Sequence, residues 1–259
     1  MDATLDGFAW LLPEGIGWGV ATFLVIASFF TSALTATFGL GGGVAMLVLL
    51  GIWVPVAALI PVHGAIQLGS NTGRAWHQRA HVRGEIFKPF AIGSLAGAAI
   101  GVFFVVQLPD APMKILLGLF IGAITWAKIP GMQSLGRAGL GIASVVLSTL
   151  SMILGATGPL LNAVLQQFMQ GDRKSLVATH AATMTVQHFL KIVVFGVAGF
   201  AFAAWVPLVA AMIASGFLGT LYGSTMLDRM PEETFARWFR IVITLLALDL
   251  IRRGVTAYL

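Results

Sequence analysis

The chain has 259 residues, no cysteine, and 15 Lys and Arg against 10 Asp and Glu, a formal charge of +5. Hydrophobic residues make up 58% of it and charged residues only 10%, and the mean hydropathy is +0.93. A soluble domain carries roughly 25% charged residues, so the composition excludes a soluble enzyme and predicts a chain embedded in lipid; the lack of cysteine excludes disulfides, thiolate chemistry and Cys-ligated metals.

The N-terminal stretch carries Asp2, Asp6 and Glu14 where a signal peptide would be positive, so it is not expected to be one. Residues 15–73 then hold no Asp, Glu, Lys or Arg, and similar gaps separate Lys88 from Asp110, Arg137 from Asp172, and Lys191 from Asp228. A helix crossing the bilayer needs about 20 apolar residues. In chain order the expected segments are 18–53, broken by glycine at 39–43, then 55–73, 87–107 and 112–127. A second set follows at 139–170, broken at 155–159, then 175–195, 202–227 and 234–251. The cations fall in the short loops between spans, as membrane topology requires. The net positive charge is therefore no sign of nucleic acid.

The two sets look alike in detail. His63, Ser70, Asn71 and Arg74 are spaced like His180, Gln187, His188 and Lys191, at 0, 7, 8 and 11 residues, with Gln67 and Thr183 on the same faces. At about 100° per residue, positions 0, 7 and 11 form one narrow strip of a helix. The offset is 117 residues here and 122 further on, where Gly93, Gly97 and Gly101 match Ser215, Gly219 and Gly223, and Pro109-Asp110 matches Pro231-Glu232. The chain therefore reads as an internal duplication, repeat one about 15–128 and repeat two about 138–251, the mark of a transporter fold. The small residues four apart are expected to let helices pack closely.

Loop charge indicates how the broken segments run. If each crosses the membrane, eight cations lie inside and six outside; if each folds back as a re-entrant hairpin, the second repeat is inverted and the split is eleven to three. The positive-inside rule prefers the second. The expected fold is an all-α polytopic membrane protein of two inverted repeats, each a Gly-broken re-entrant helix plus three transmembrane helices.

Gly39, Gly41, Gly42 and Gly43 cannot hold a helix well, at about 1 kcal/mol each relative to Ala. Broken backbone inside a membrane is tolerated where it lines a cavity or is buried by protein. A helix restarting near Val44 would present free N–H groups and a positive dipole end to an anion. Gly155-Ala-Thr-Gly-Pro159 repeats the device, with Pro159 suited to a first helical turn and Thr157, Gly158 and Asn162 adding neutral donors. Lys191 lies inside its segment with no acid on its face, a placement costing about 2.5–3.5 kcal/mol that a bound anion would offset. Arg74 ends its segment, where it either joins the site or snorkels to the headgroups. His63 and His180 either hydrogen-bond within the core or serve the site, donating to an oxyanion or carrying a coupled proton. Gln67, Asn71 and Gln187 can donate without charge or bond between helices. His188 is a weaker member of the second stripe. His77 and His81 have metal-ligand spacing, but Arg79 and Arg83 beside them would repel a cation. Asp249 should pair with Arg252 and Arg253, and the seven tryptophans, Trp10, Trp18, Trp53, Trp76, Trp126, Trp205 and Trp238, should form an interfacial belt.

The sequence Thr37-Phe-Gly-Leu-Gly-Gly-Gly43, the following Pro55 and Pro61, Ser70-Asn71 with Arg74, the loop Arg83-Gly-Glu-Ile-Phe-Lys88, Gly93-Ser-Leu-Ala-Gly-Ala-Ala-Ile-Gly101, Leu108-Pro109 and Gly155-Ala-Thr-Gly-Pro159 together resemble the TauE/SafE sulfite exporter family, also known as the 4-toluene sulfonate uptake permeases. The resemblance covers nearly the whole chain and implies transport of sulfur-containing anions such as sulfite, thiosulfate and organosulfonates.

The residues and the resemblance lead to one expectation: a multi-pass protein of the cell (inner) membrane that moves a small sulfur-containing anion, in the export direction, by alternating access. The expected partners are that anion and the bilayer, with a homodimer allowed and no nucleic acid. No cofactor, metal or catalytic residue is expected, because the chain lacks Cys, HExxH, GxSxG and GxxxxGK[ST]. A channel or carrier for another small anion such as a carboxylate, and a membrane subunit of a larger assembly, remain open at this point.

Overall fold

The computed structural model describes residues 9–39, 41–104, 109–126, 136–169, 171–226 and 232–258. Asp2, Asp6, Leu40, Leu108, Asp228 and Pro231, named above, lie outside them. The described residues include ten α-helices: α1 Trp18–Phe38, α2 Gly42–Trp53, α3 Val56–His77, α4 Gly84–Gly101, α5 Asp110–Trp126, α6 Arg137–Leu154, α7 Gly158–Met169, α8 Arg173–Val197, α9 Val206–Ser224 and α10 Glu232–Thr256. The protein is all-helical, and no strand occurs among the described residues.

Polarity is arranged inside out. Phe23, Ile26 and Phe30 of α1, Ile92 and Leu95 of α4, Phe189 and Val193 of α8, Leu218 and Tyr222 of α9, and Leu245 and Leu248 of α10 are exposed, whereas Ser28, Thr31, Ser32 and Thr35, His63, Gln67 and Asn71, and Thr183, Gln187 and Lys191 are buried. In water, apolar faces of this extent would be an aggregation hazard; against lipid they are the solvated surface. Helices α1 and the stretch Phe202–Ser224 carry sustained apolar windows with mean hydropathy 1.8. Helices α3 and α8 are less apolar because the polar stripes run through them. Trp10, Trp53, Trp76, Trp126 and Trp238 are exposed, as a belt requires, but Trp205 is buried. The expectation for Trp205 is corrected: it packs in the core with Leu208, Val209 and Met212.

The first break turns the chain back. Helix α1 ends at Gly39, whose left-handed backbone (φ 78°, ψ −6°) lets its N–H close on the Thr35 carbonyl. Gly41 (φ 98°) then precedes α2. Helix α2 descends beside α1, so that the Trp53 ring at its end meets Phe23 at a tilt, 4.9 Å between ring centres. A Cβ on Gly42 would overlap the Thr31 carbonyl and the Thr35 hydroxyl, which is why the hairpin needs glycine there. The helix restarts at Gly42 rather than near Val44, so Gly43 lies within its first turn. The second break matches: α6 ends at Gly155 (φ 80°), whose N–H bonds the Ser151 carbonyl, and α7 restarts at Gly158 with Pro159 in its first turn.

Four helix pairs build the bundle. Helix α1 runs parallel to α9: Ser28 donates to the Met212 carbonyl at 2.7 Å and Thr37 to the Gly223 carbonyl at 3.0 Å. Helix α4 runs parallel to α6 through Gly93, Gly97 and Gly101, where any Cβ would overlap Ser144, the Val145 carbonyl or Met152. Gly219 and Gly223 bring α9 equally close to the Phe29 and Ala33 carbonyls of α1. The spaced small residues therefore serve helix packing. Helix α3 runs antiparallel to α8, with Gly64 on the Lys191 side chain and His63 at 5.7 Å from His188. Helix α5 runs antiparallel to α10, with Gly118 against Ala247 and Gly254 against Ala111. Tracing these directions, α1, α3, α5, α7 and α9 run one way through the bundle and α2, α4, α6, α8 and α10 the other. Asp249 bonds both Arg252 and Arg253 near the end of α10. Asp172 caps α8 by accepting from the Ser175 N–H at 3.0 Å, and hydrogen bonding from the Ser175 side chain, together with that N–H, holds its carboxyl below the usual carboxylate range.

Candidate functional site

The two breaks meet where α3 and α8 cross. Around a central cavity of about 30 Å³ stand Gly41, Gly43 and Val44 at the start of α2, Ala156, Gly158 and Pro159 at the start of α7, and the stripe residues His63, Gln67, Asn71, His180 and His188. Both short helices thus direct their N-terminal ends, with unpaired N–H groups and a positive dipole, at one point. Gly43 keeps that end open: a Cβ there would sit 3.3 Å from the Gln67 amide nitrogen.

The histidines are held alike. His63 Nε2 lies 2.9 Å from the Gly43 carbonyl, and His180 Nε2 lies 3.1 Å from the Gly158 carbonyl. Each ring is tied to the first turn of the short helix that precedes it in sequence. The Nδ1 atoms of His63, His180 and His188 are buried without a hydrogen-bond partner among the described residues.

The cations flank the cavity. Arg74 is only 1% exposed, so it does not snorkel; it donates to Asn71 Oδ1 at 3.2 Å and to Ser70 Oγ at 3.3 Å, and its Nε is unpartnered. Asn71, which it orients, donates in turn to the Gln67 main-chain carbonyl at 2.8 Å. Lys191 is fully buried and its Nζ donates to the Gly155 carbonyl at 2.7 Å, in the residue before Ala156 of the cavity wall. No Asp or Glu lines the cavity among the described residues.

A hydroxyl and amide layer supports these groups. Ser32 bonds Ser70 at 2.9 Å; at the matching place Gln187 donates to Ser148 at 3.0 Å and accepts from Thr157 at 3.2 Å, while Ser148 donates to Ser94. Thr157 and Gln187 thus brace the second break from behind. Gly39 faces Val177, and Gly42 faces α1. Asn162 departs most from expectation: it lines a different cavity, about 280 Å³, one helical turn nearer the end of the bundle that carries Arg173, together with Phe38, Asp172, Leu176 and Val177. Arg173 spans that end by donating to the Thr37 carbonyl at 3.3 Å.

Two wall residues were missed in the sequence. Thr35 belongs to a stripe of hydroxyls, Ser28, Thr31, Ser32 and Thr35, whose three- and four-residue spacing was a legible signal of a polar helix face. Met184 carried none, since an apolar residue on an apolar helix looks like core.

The arrangement is an acid-free pocket in which two helix N-termini, neutral amides and three imidazoles surround a small volume between two buried cations. No curated protein and no solved structure matches the chain. The profile of the family described as sulfite exporter TauE/SafE matches residues 24–250, and that span contains both breaks and both stripes, so the chain belongs to the TauE/SafE sulfite exporter family.

Proposed function

We propose that this protein is a secondary transporter that exports sulfite, or a sulfonate of similar size, across the inner membrane, and that the central cavity is its anion site. The observation that carries the reading is the convergence of two helix N-termini and two equivalent histidines on one pocket, with Arg74 and Lys191 buried beside it and no carboxylate on its wall. Peptide dipoles and cations favour an anion there, and nothing on the wall repels one. A volume of about 30 Å³ compares with about 10–15 Å³ for a single water, room for a compact oxyanion but not for a long organic chain.

The site residues in this reading are Gly39 and Gly41 at the first break, Gly42 and Gly43 in the helical turn that follows it, Thr157 and Gly158 at the second break, Asn162 on the approach, and His63, Gln67, Asn71, Arg74, His180, Gln187 and Lys191 forming the stripes. Two inverted repeats, each with a re-entrant hairpin, account for the opposed directions of equivalent helices, and rocking of one against the other would alternate access. The cavity beside Asn162 and Arg173 gives the approach from one side, which the positive-inside rule assigns to the cytoplasm.

The test is sulfite flux in proteoliposomes, with the purified protein alone, for the wild type and for His180→Ala combined with Lys191→Ala. Loss of flux in the variant supports the reading; equal flux sinks it. Thermal stabilisation across a panel of sulfite, thiosulfate, taurine, acetate and chloride ranks the substrates, because a ligand bound only to the folded state stabilises it by about 2.7 kcal/mol at a hundred times its dissociation constant. Stabilisation by acetate alone would move the assignment to carboxylates.

A further inference from the structure

The two repeats give each contact at one end of the pathway a counterpart at the other. Both breaks end a helix with the same bond, the Gly39 N–H on the Thr35 carbonyl and the Gly155 N–H on the Ser151 carbonyl. His63 on the Gly43 carbonyl matches His180 on the Gly158 carbonyl. Gly39 therefore corresponds to Gly155, Leu47 on α2 to Asn162 on α7, and Leu59 and Ile60 on α3 to Leu176 and Val177 on α8.

The counterparts are not in the same state. A Cβ on Gly155 would meet Leu47 at 3.2 Å and Ile60 at 3.7 Å. A Cβ on Gly39 would meet Val177 at 3.0 Å and no other described residue within 4 Å. Asn162 stands off the first break and lines the cavity of about 280 Å³ instead. Burial divides in the same way. On the wall of that cavity Phe38 and Leu176 are half-buried and Gln166 is exposed, whereas their counterparts Leu154, Leu59 and Gly51 are all buried. Leu47, Leu59 and Ile60 share one apolar cluster with Ala156 of the second break. Lys191 fastens the Gly155 carbonyl, while its counterpart Arg74 is engaged along its own helix with Asn71 and Ser70.

We propose that this is the state of the carrier open at the end that carries Arg173, and that Leu47 is the gate that shuts the opposite end by packing with Ile60 on Gly155. The inference rests on the reading of the chain as an alternating-access carrier. When the two repeats exchange conformations, Leu47 leaves Gly155 and Asn162 closes on Gly39. The two gates differ in chemistry. Leu47, Leu59 and Ile60 form an apolar constriction, which stops a hydrated ion by dewetting. Asn162, Asp172 and Arg173 give the open end a polar mouth. Arg173 crosses its rim to the Thr37 carbonyl at 3.3 Å and leaves the cavity behind it unfilled.

The experiment uses single cysteines in a chain that has none of its own. Leu176→Cys and Leu59→Cys, made separately, place one reporter at each end. In detergent-purified protein without substrate, a water-soluble thiol reagent should modify Leu176→Cys and spare Leu59→Cys. Adding Leu47→Ala should raise the Leu59→Cys rate towards that of Leu176→Cys. Leu47→Ala combined with Leu176→Cys, labelled as before, shows that the fold is kept. Sulfite should then shift the two reporters in opposite directions, because a loaded carrier exchanges its ends. Equal labelling of both reporters at rest overturns the inference. So does a Leu59→Cys that stays protected in the folded Leu47→Ala protein, and so does a sulfite effect of the same sign on both. The resting pattern and its release by Leu47→Ala, with no response to sulfite, would support the gate and count against sulfite as the cargo, so the two readings fail separately.

Discussion

Lys191 on α8 donates to the carbonyl of Gly155 at 2.7 Å, and through that bond a fully buried cation is fastened to the second helix break. Gly155 has a positive φ of 80°, so its carbonyl sits where the chain leaves the helix and is free to accept. A lone carbonyl dipole is a weak partner for a buried charge, which is most stable with an anion nearby. Replacing Lys191 by Met keeps the volume and removes the charge. Sulfite affinity is expected to fall tenfold or more, about 1.4 kcal/mol, while the melting temperature without ligand stays level or rises, since removing a poorly paired buried charge is commonly neutral or stabilising. A melting temperature that drops along with unchanged sulfite affinity would make Lys191 a structural residue.

The hairpin of α1 and α2 has a direct topological consequence. The tilted contact of Phe23 with Trp53 puts the beginning of α1 and the end of α2 at one level, so Glu14 and Pro55 belong on the same face of the membrane. Gly136 and Lys174 belong together on the opposite face. The chain has no cysteine, so single cysteines at these four exposed positions report sidedness without background. An impermeant thiol reagent added outside intact cells should label Glu14→Cys and Pro55→Cys and spare Gly136→Cys and Lys174→Cys. Opposite labelling of Glu14→Cys and Pro55→Cys would mean that the broken segment crosses.

Much of this was legible in the sequence, because a lipid-embedded bundle inverts the usual rule and a buried polar stripe stands out against apolar helices. His63 and His180 were found by equivalence, and the structure puts each against a carbonyl in the first turn of the short helix that precedes it. What was illegible depended on distance between segments. Nothing local distinguishes Asn162, one turn outside the central cavity, from Gln67 on its wall. Arg74 could be read as snorkelling from its place near a helix end until its burial settled the matter. The role of Gly42 also lay in a partner far along the chain, for it looked like part of a helix break and is instead a contact surface inside a helix.

That contact yields a stability prediction. A Cβ on Gly42 would overlap the Thr31 carbonyl and Thr35 hydroxyl, and backbone cannot move aside as a flexible side chain can. Gly42→Ala is expected to destabilise by about 1–3 kcal/mol, the usual range for overpacking, although alanine is the better helix former. Gly136→Ala, with nothing within 4 Å of its Cβ position, is the control and should leave the midpoint nearly unchanged. Thermal unfolding in detergent compares the two.

Asp172 supplies a pH dependence outside the membrane core. Its carboxylate accepts from the Ser175 N–H at the start of α8, and hydrogen bonding from the Ser175 side chain first, with that N–H second, lowers its proton affinity below the unfolded value. A group with a depressed folded pKa contributes stability that is present above the unfolded pKa and lost as pH falls through the folded one. The contribution of Asp172 is therefore complete near neutral pH and disappears below about pH 4, where carboxylates ordinarily protonate. Asp172→Ala should lose about 0.5–2 kcal/mol near neutral pH, the usual range for a lost cap, and the gap from wild type should narrow in acid. Asp172→Asn keeps an oxygen that can accept from Ser175 while giving up the charge, so it should lie between the two at neutral pH and titrate least. Melting temperatures of the three proteins across the acid range are the measurement, and a gap that stays constant down to the lowest pH would show that the Asp172 side chain holds α8 by packing rather than through its charge.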